Sequence, residues 1–265
     1  MWMINIQQLA ELYFANDEPC PYQLKDNTII YIYPIKVKDW YIFNASLSIL
    51  QIDKNKINDI QIIQMSYLEF LCKKALNDDI NRQKLLNIFN YSINEDNICL
   101  GKYNNRDVLI ICDKDNKQKY FITSKEFDEI SKIILFQNIK DYDDRYVDED
   151  VRELMEEYYK MKYQDSKVPT LEEQKTYTIA KTGLSMNEIN NMTYRTFSQV
   201  YKHSVDDVLY IGQKIIQGSY KYDVKQDILH PLYEKPKDKY EEIFTNTSTL
   251  AGKGIQGAEK LNQLN

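Results

Sequence analysis

The chain has 265 residues, 43% hydrophobic and 28% charged, enough for a sizeable core in one large or two modest domains. Its 7 glycines and 6 prolines exclude collagen-like and low-complexity chains and argue against a turn-rich barrel, and its 2 histidines, His203 and His230, stand too far apart in sequence to suggest a histidine-built catalytic or metal centre. The net charge of −6, with no basic stretch to neutralise phosphates, argues against a nucleic-acid partner.

In chain order, residues 4–14 read as a short helix, broken over 17–21. Residues 28–34 are β-branched and aromatic and predict a strand that Pro34 stops. Asp39 is placed to cap a helix over 40–50. A helix over 57–76 is expected from Ile60, Ile63, Tyr67 and Leu71 at steps of three and four, and another over 80–91 burying Leu85, Ile88 and Phe89. The period then changes to two. Residues 97–103, 107–112 and 118–123 predict three strands, with Asn104-Asn105 and 113–117 as turns, hence an antiparallel meander packed on the preceding helices. The strand at 28–34 is a candidate to join it.

From residue 124 on everything reads helical. Phe127, Ile130, Ile133 and Ile134 mark a helix capped at Thr123 or Ser124. Val151, Leu154, Met155, Tyr158 and Tyr159 form an amphipathic stripe. Thr170 with Glu173, and Ser185 with Glu188, have capping-box spacing, and Gly183 is a natural stop between them. The longest helix starts near Thr193 and carries Phe197, Tyr201, Val205, Val208, Leu209, Ile215 and Ile216 on one face for about 37 Å. Gly212 inside it costs about 1 kcal/mol against alanine, a cost that close packing of another helix would explain, with a hinge as the alternative. The expected architecture is α+β and mostly helical: an α+β domain over 1–123 holding the small antiparallel sheet, a helical bundle over 124–240, and a flexible tail over 241–265.

Cys20, Cys72, Cys99 and Cys112 lack zinc-ligand spacing; Cys72 and Cys112 read as buried free thiols, and reduced cysteines suit an intracellular compartment. The first 14 residues have no basic start, and the longest uncharged run, 40–52, is too short to span a bilayer, so a soluble cytoplasmic protein is expected. Thr249 to Gly254 fails the phosphate-loop spacing, and no catalytic signature occurs. The acidic run from Asp141 to Glu157 reads as a solvated linker entering a helix, or as a docking surface for a basic partner. No cofactor and no metal are expected. Tyr158, Tyr159, Tyr194 and Tyr201 sit at helical spacing without interleaved arginine, which points to core or protein-interface roles rather than base stacking.

The order of segments also carries a resemblance. Tyr31 to Asp39 leads into helices holding Met65 to Phe70. A small sheet follows, then Thr123 to Ile130 with Ile134 to Asn138, and finally Thr170 to Gln174, Thr182 to Ile189 and Thr193 to Phe197. Over residues 28–220 this arrangement resembles the tail assembly chaperones of long-tailed phages and prophages of low-GC bacteria. The resemblance implies a non-enzymatic protein of the host cytoplasm that coats the tape-measure protein before the tail tube forms; on the helical half, Tyr158, Tyr159, Tyr194 and Tyr201 are the candidate partner-binding residues because tyrosine tolerates a half-wet interface, and self-association is a further candidate contact. The small sheet departs from the mostly helical short chaperones of this group. That keeps open a structural component of the tail, baseplate or neck retained in the virion, and an enzyme or host-directed effector.

Overall fold

A computed structural model describes residues 5–52, 54, 59–76, 78–95, 97–113, 115, 117–143, 149–162, 164, 168–219 and 228–233. The protein is α+β and mostly helical, with one two-stranded and one three-stranded antiparallel sheet. The expected tail over 241–265, and the Thr249 to Gly254 motif within it, lie outside the described residues.

Helix α1 (Ile6–Leu12) is capped by Asn5, whose side chain accepts the Gln8 N–H at 3.2 Å. Strands β1 (Cys20–Gln23) and β2 (Ile29–Ile32) form an antiparallel hairpin in the register Cys20 to Ile32, with Asn27 at φ 69° in its connection. Sequence reading missed β1 because Pro21 sits inside it. A two-stranded sheet has only edges, where a residue without an N–H is tolerated. The strand expected over 28–34 is therefore real, but it pairs with β1 and stands apart from the meander.

Helix α2 (Trp40–Leu47) begins after Asp39 as expected, yet the Asp39 side chain caps nothing, and the helix tightens to a 3₁₀ turn over Ser48–Gln51. The long helix expected over 57–76 is broken into α3 (Ile60–Gln64), α4 (Tyr67–Phe70) and a π turn at Leu71–Ala75. The cause is Ser66: its hydroxyl accepts the Glu69 N–H at 3.2 Å and starts a new helix. The break shifts the phase, so Ile60 and Ile63 are exposed while Ile62, Leu68, Phe70 and Leu71 are buried. Helix α5 (Asp79–Ile93) buries Leu85, Ile88 and Phe89 as the periodicity predicts.

Strands β3 (Ile98–Tyr103), β4 (Arg106–Cys112) and β5 (Gln118–Ile122) form the meander in that order. Asn104 and Asn105 both take positive φ, 49° and 59°, the geometry that matches the right-handed twist of a tight hairpin. Helix α6 (Ser124–Asn138) opens with a capping box between Thr123 and Glu126 and buries 9 of its 15 residues. Phe127 stacks on Phe89 with ring centroids 5.2 Å apart. At its far end Gln137 donates to the carbonyls of Glu18 and Ile32, at 3.3 and 3.2 Å, and Asn138 accepts the Ile35 N–H at 2.8 Å. These two buried amides hold the chain on either side of Pro34, Gln137 at the Ile32 carbonyl that ends β2 and Asn138 at the Ile35 N–H beyond it.

Helices α8 (Leu171–Thr182) and α9 (Met186–Asn191) are joined through Gly183 at φ 75°. The Ser185–Glu188 capping box is present, and the hydrogen bonds from the Ser185 backbone and hydroxyl hold the Glu188 carboxyl below the ordinary range. Helix α10 (Tyr194–Gln217) is anchored at its start. The Thr193 and Thr196 hydroxyls donate to the Asp17 carboxylate, at 2.6 and 2.8 Å, and the Tyr194 N–H donates to the Ile35 carbonyl at 2.7 Å. Val37, Ile189 and Phe197 form a small second core there. Helix α7 (Glu149–Lys162) completes the inventory, and no strand follows Ile122 among the described residues.

The chain divides into two compact units, residues 1–144 with 171–202, and residues 145–170 with 203–265. The expected boundary at residue 124 falls inside the first unit. The change of period at Thr123 marks a change of secondary structure and not of domain, because the apolar face of α6 belongs to the same core as the inner faces of both sheets. The expected helical bundle over 124–240 is correspondingly split: α6, α8, α9 and the start of α10 belong to the first unit, and α7 and the rest of α10 to the second.

Candidate functional site

A cleft of about 830 Å³ lies in the first unit, at the mouth of the β3–β4 hairpin and the start of α6. Tyr103 and Phe121 stack along one wall, centroids 4.3 Å apart, and Lys25, Arg106, Asp26 and Asp107 bring both signs of charge to it. Most of its remaining polar groups already hold the fold. Glu126 accepts the Lys25 and Thr123 N–H groups, each at 2.8 Å, and the Thr123 hydroxyl besides; Asp26 accepts the Thr28 N–H at 2.9 Å; Ser66 caps α4. No histidine or cysteine lines the cleft, so a Ser–His or Cys–His arrangement does not assemble there.

All four cysteines are free. The buried thiol is Cys20, pushed up to about 11 by burial. Cys72 and Cys112, expected to be buried, are half-exposed because they lie at the margins of the core, and Cys99 is exposed. Among the described residues no group of three or more histidine, cysteine or acidic side chains could hold a metal ion, and no helix is long and apolar enough to cross a membrane.

The four tyrosines expected at an interface fall in different surroundings. Tyr194 lies flat on Trp40, centroids 3.4 Å apart and 3° between planes, so one ring face is spent inside the first unit. Tyr201 meets Tyr177 edge to face at 5.8 Å in the same unit. Tyr158 and Tyr159 touch each other on α7 in the second unit, at 5.5 Å, with Tyr158 the more exposed. Tyr194 and Tyr201 thus belong to the first unit, and Tyr158 and Tyr159 to the second. Of the acidic run, Asp144 to Asp148 lie outside the described residues, while Glu153 and Glu157 are exposed on α7.

The distal half of α10 is the more conspicuous surface. Val208, Leu209, Ile211, Ile215 and Ile216 are between 42% and 69% exposed, and Met155 is the one buried apolar side chain of the second unit among the described residues. At 3.6 residues per turn, positions 208, 209, 212, 215 and 216 fall within an arc of about 120°. Gly212 lies at the centre of that arc, and nothing described approaches within 4 Å of where its Cβ would stand. Close packing of another helix at Gly212 is thus not present, and the helix runs unbroken through it. The other side of α10 is covered: the His230 Nε2 lies 2.7 Å from an Asp207 carboxylate oxygen and its ring 4.9 Å from that of Tyr210. His230, remote from α10 in sequence, thus joins it through Asp207, while the apolar side stays bare. Sequence reading named four of these five aliphatic residues but assigned contact to tyrosines.

No protein-family model, curated protein or solved structure matches this chain.

Proposed function

We propose that the protein is a tail assembly chaperone of a long-tailed phage, a non-enzymatic cytoplasmic protein that holds apolar helical stretches of the tape-measure protein until the tail tube closes around them. The observation that supports this reading is the bare aliphatic face of α10. Removing such a face from water is favourable by about 25 cal/mol per Å², and a partner helix laid along it with anchors at steps of three and four is the simplest way to do so. Tyr158 and Tyr159 on α7 suit the half-wet rim of such an interface, and the exposed Glu153 and Glu157 beside them favour a partner with basic stretches, raising the association rate more than the affinity.

The test is co-expression with the tape-measure protein of the same tail cluster. The full chain should keep that protein soluble, and the double variant Leu209→Glu, Ile216→Glu should lose the effect while retaining the wild-type unfolding midpoint. Equal solubilisation by that variant would sink the reading. Stoichiometric recovery of the protein from purified virions would replace it with a structural role in the tail.

A further inference from the structure

We propose that Cys99 and Cys112 form an accessible dithiol site, which small disulfides of the glutathione class oxidise reversibly to a bond across β3 and β4. The inference rests on this hairpin and is independent of the chaperone reading. In the hairpin register Cys99 stands opposite Ile110, and the Cys112 N–H donates to the Asn97 carbonyl at 2.9 Å. Cys112 is thus two residues beyond the partner of Cys99, and side chains two apart on a strand share a face. The two thiols are in hydrogen-bonding contact. Free cysteine is among the most buried residue types, and Cys20 follows that rule. Cys99 is exposed and Cys112 half-exposed, so this pair departs from it at neighbouring positions.

Burial pushes the Cys20 and Cys72 thiols up to about 11, which leaves them little reactive thiolate. Cys99 is the thiol open to a reagent, and Cys112 is the one beside it. The Cys99 thiolate attacks one sulfur of the small disulfide. A mixed disulfide forms, the reagent's S–S bond breaks, and one small thiol leaves with the proton that Cys99 gave up. The Cys112 thiolate then attacks the Cys99 sulfur and expels the second small thiol in the same way. The protein dithiol loses two electrons and the reagent gains them. Contact between the thiols makes the second exchange intramolecular, so the mixed disulfide does not accumulate. Diagonal neighbours on paired strands stand about 7–8 Å apart, slightly beyond the usual disulfide span of about 4.4–6.8 Å. Closing the bond therefore draws the open end of the hairpin together. Cys112 ends β4, where the register against β5 already shifts, so that end can move. A strained and exposed disulfide is the readily reduced kind.

The reduced full chain, incubated with excess oxidised glutathione at about pH 8.5, should lose about 2 Da without gaining a glutathione adduct. Tryptic peptides 85–102 and 107–114 should then be found joined. Excess reduced glutathione should reopen the link. Cys112→Ser should stop at the mixed disulfide, about 305 Da heavier, and should keep the wild-type unfolding midpoint. Phenylarsine oxide, which bridges paired thiols, should bind the wild type one per chain and be washed from both Cys99→Ser and Cys112→Ser. A wild-type chain that stays reduced or stops at the mixed disulfide would overturn the proposal. So would a link to Cys20 or Cys72, a link that reduced glutathione does not reopen, or an arsenical retained by either single variant.

Discussion

Replacing Phe127 with alanine should lower the stability of the first unit by about 4 kcal/mol, read as a fall in the urea midpoint with little change in slope. Phe127 is fully buried on α6, stacked on Phe89 at 5.2 Å and with Tyr67 at 6.4 Å on another side. Its neighbours come from helices far apart in sequence, so no single element can move to fill the space, and the cavity term adds to the transfer term. Ile215→Ala on the bare face of α10 is the matched control. It removes a smaller, aliphatic volume from a side chain that is 69% exposed and should stay within about 0.5 kcal/mol of the wild type. A loss under 1 kcal/mol for Phe127→Ala would mean that α6 does not form the centre of this core.

Glu126→Ala should cost about 3 kcal/mol, nearly as much as the phenylalanine, although it removes only one methylene besides the carboxylate. The carboxylate is 97% removed from solvent, at 3% exposure, and serves three donors at once: the Lys25 N–H, the Thr123 N–H and the Thr123 hydroxyl. Two of these are local: the Thr123 N–H bond is one half of the capping box, and the Thr123 hydroxyl adds a second contact to the same carboxylate. The third reaches across 101 residues and fixes the turn after β1 to the start of α6. Alanine leaves all three donors without their acceptor, and an unsatisfied buried donor costs about 1–3 kcal/mol. Thr123→Ala, which removes the cap alone, should cost about 1 kcal/mol. If the two variants were equally destabilised, the long-range bond to Lys25 would contribute nothing.

The parts of this fold that could be read from sequence are those whose causes are local. Thr123 and Glu126 are three residues apart and the apolar stripe of α6 follows at once, so that helix was legible in start, face and buried residues. The Asn104-Asn105 turn announces its hairpin for the same reason. Where a residue's role depends on something distant, the reading went astray. Ser66 could cap a new helix or ride on the outside of a long one, and only the burial of Ile62 in place of Ile63 decides between them. Strand β1 pairs with β2 despite Pro21, a pairing no alternation announced. The candidate surface divides in the same way. The aliphatic stripe on α10 was visible as a pattern, but whether it faces a neighbour or water depends on what α7, α9 and the segment around His230 cover. Tyr194, placed by its spacing at an interface, is instead held by Trp40, a residue 154 positions away in a chain of 265.

That ring pair also gives the protein a built-in optical reporter. Trp40 is one of 2 tryptophans and lies on α2, in the first stretch of the discontinuous unit, whereas Tyr194 belongs to the stretch that returns after residue 170. Rings parallel to within 3° and 3.4 Å apart couple their electronic transitions strongly and hold the indole in one fixed, asymmetric setting. Near-ultraviolet circular dichroism should therefore show a tryptophan band that exists only while the returning stretch is seated. Under rising denaturant, loss of that band ahead of the far-ultraviolet helix signal would show the unit opening at its chain discontinuity first, and Tyr194→Leu should erase the band in the folded protein. The point where the chain comes back to close its own first unit thereby becomes the point where its opening can be watched.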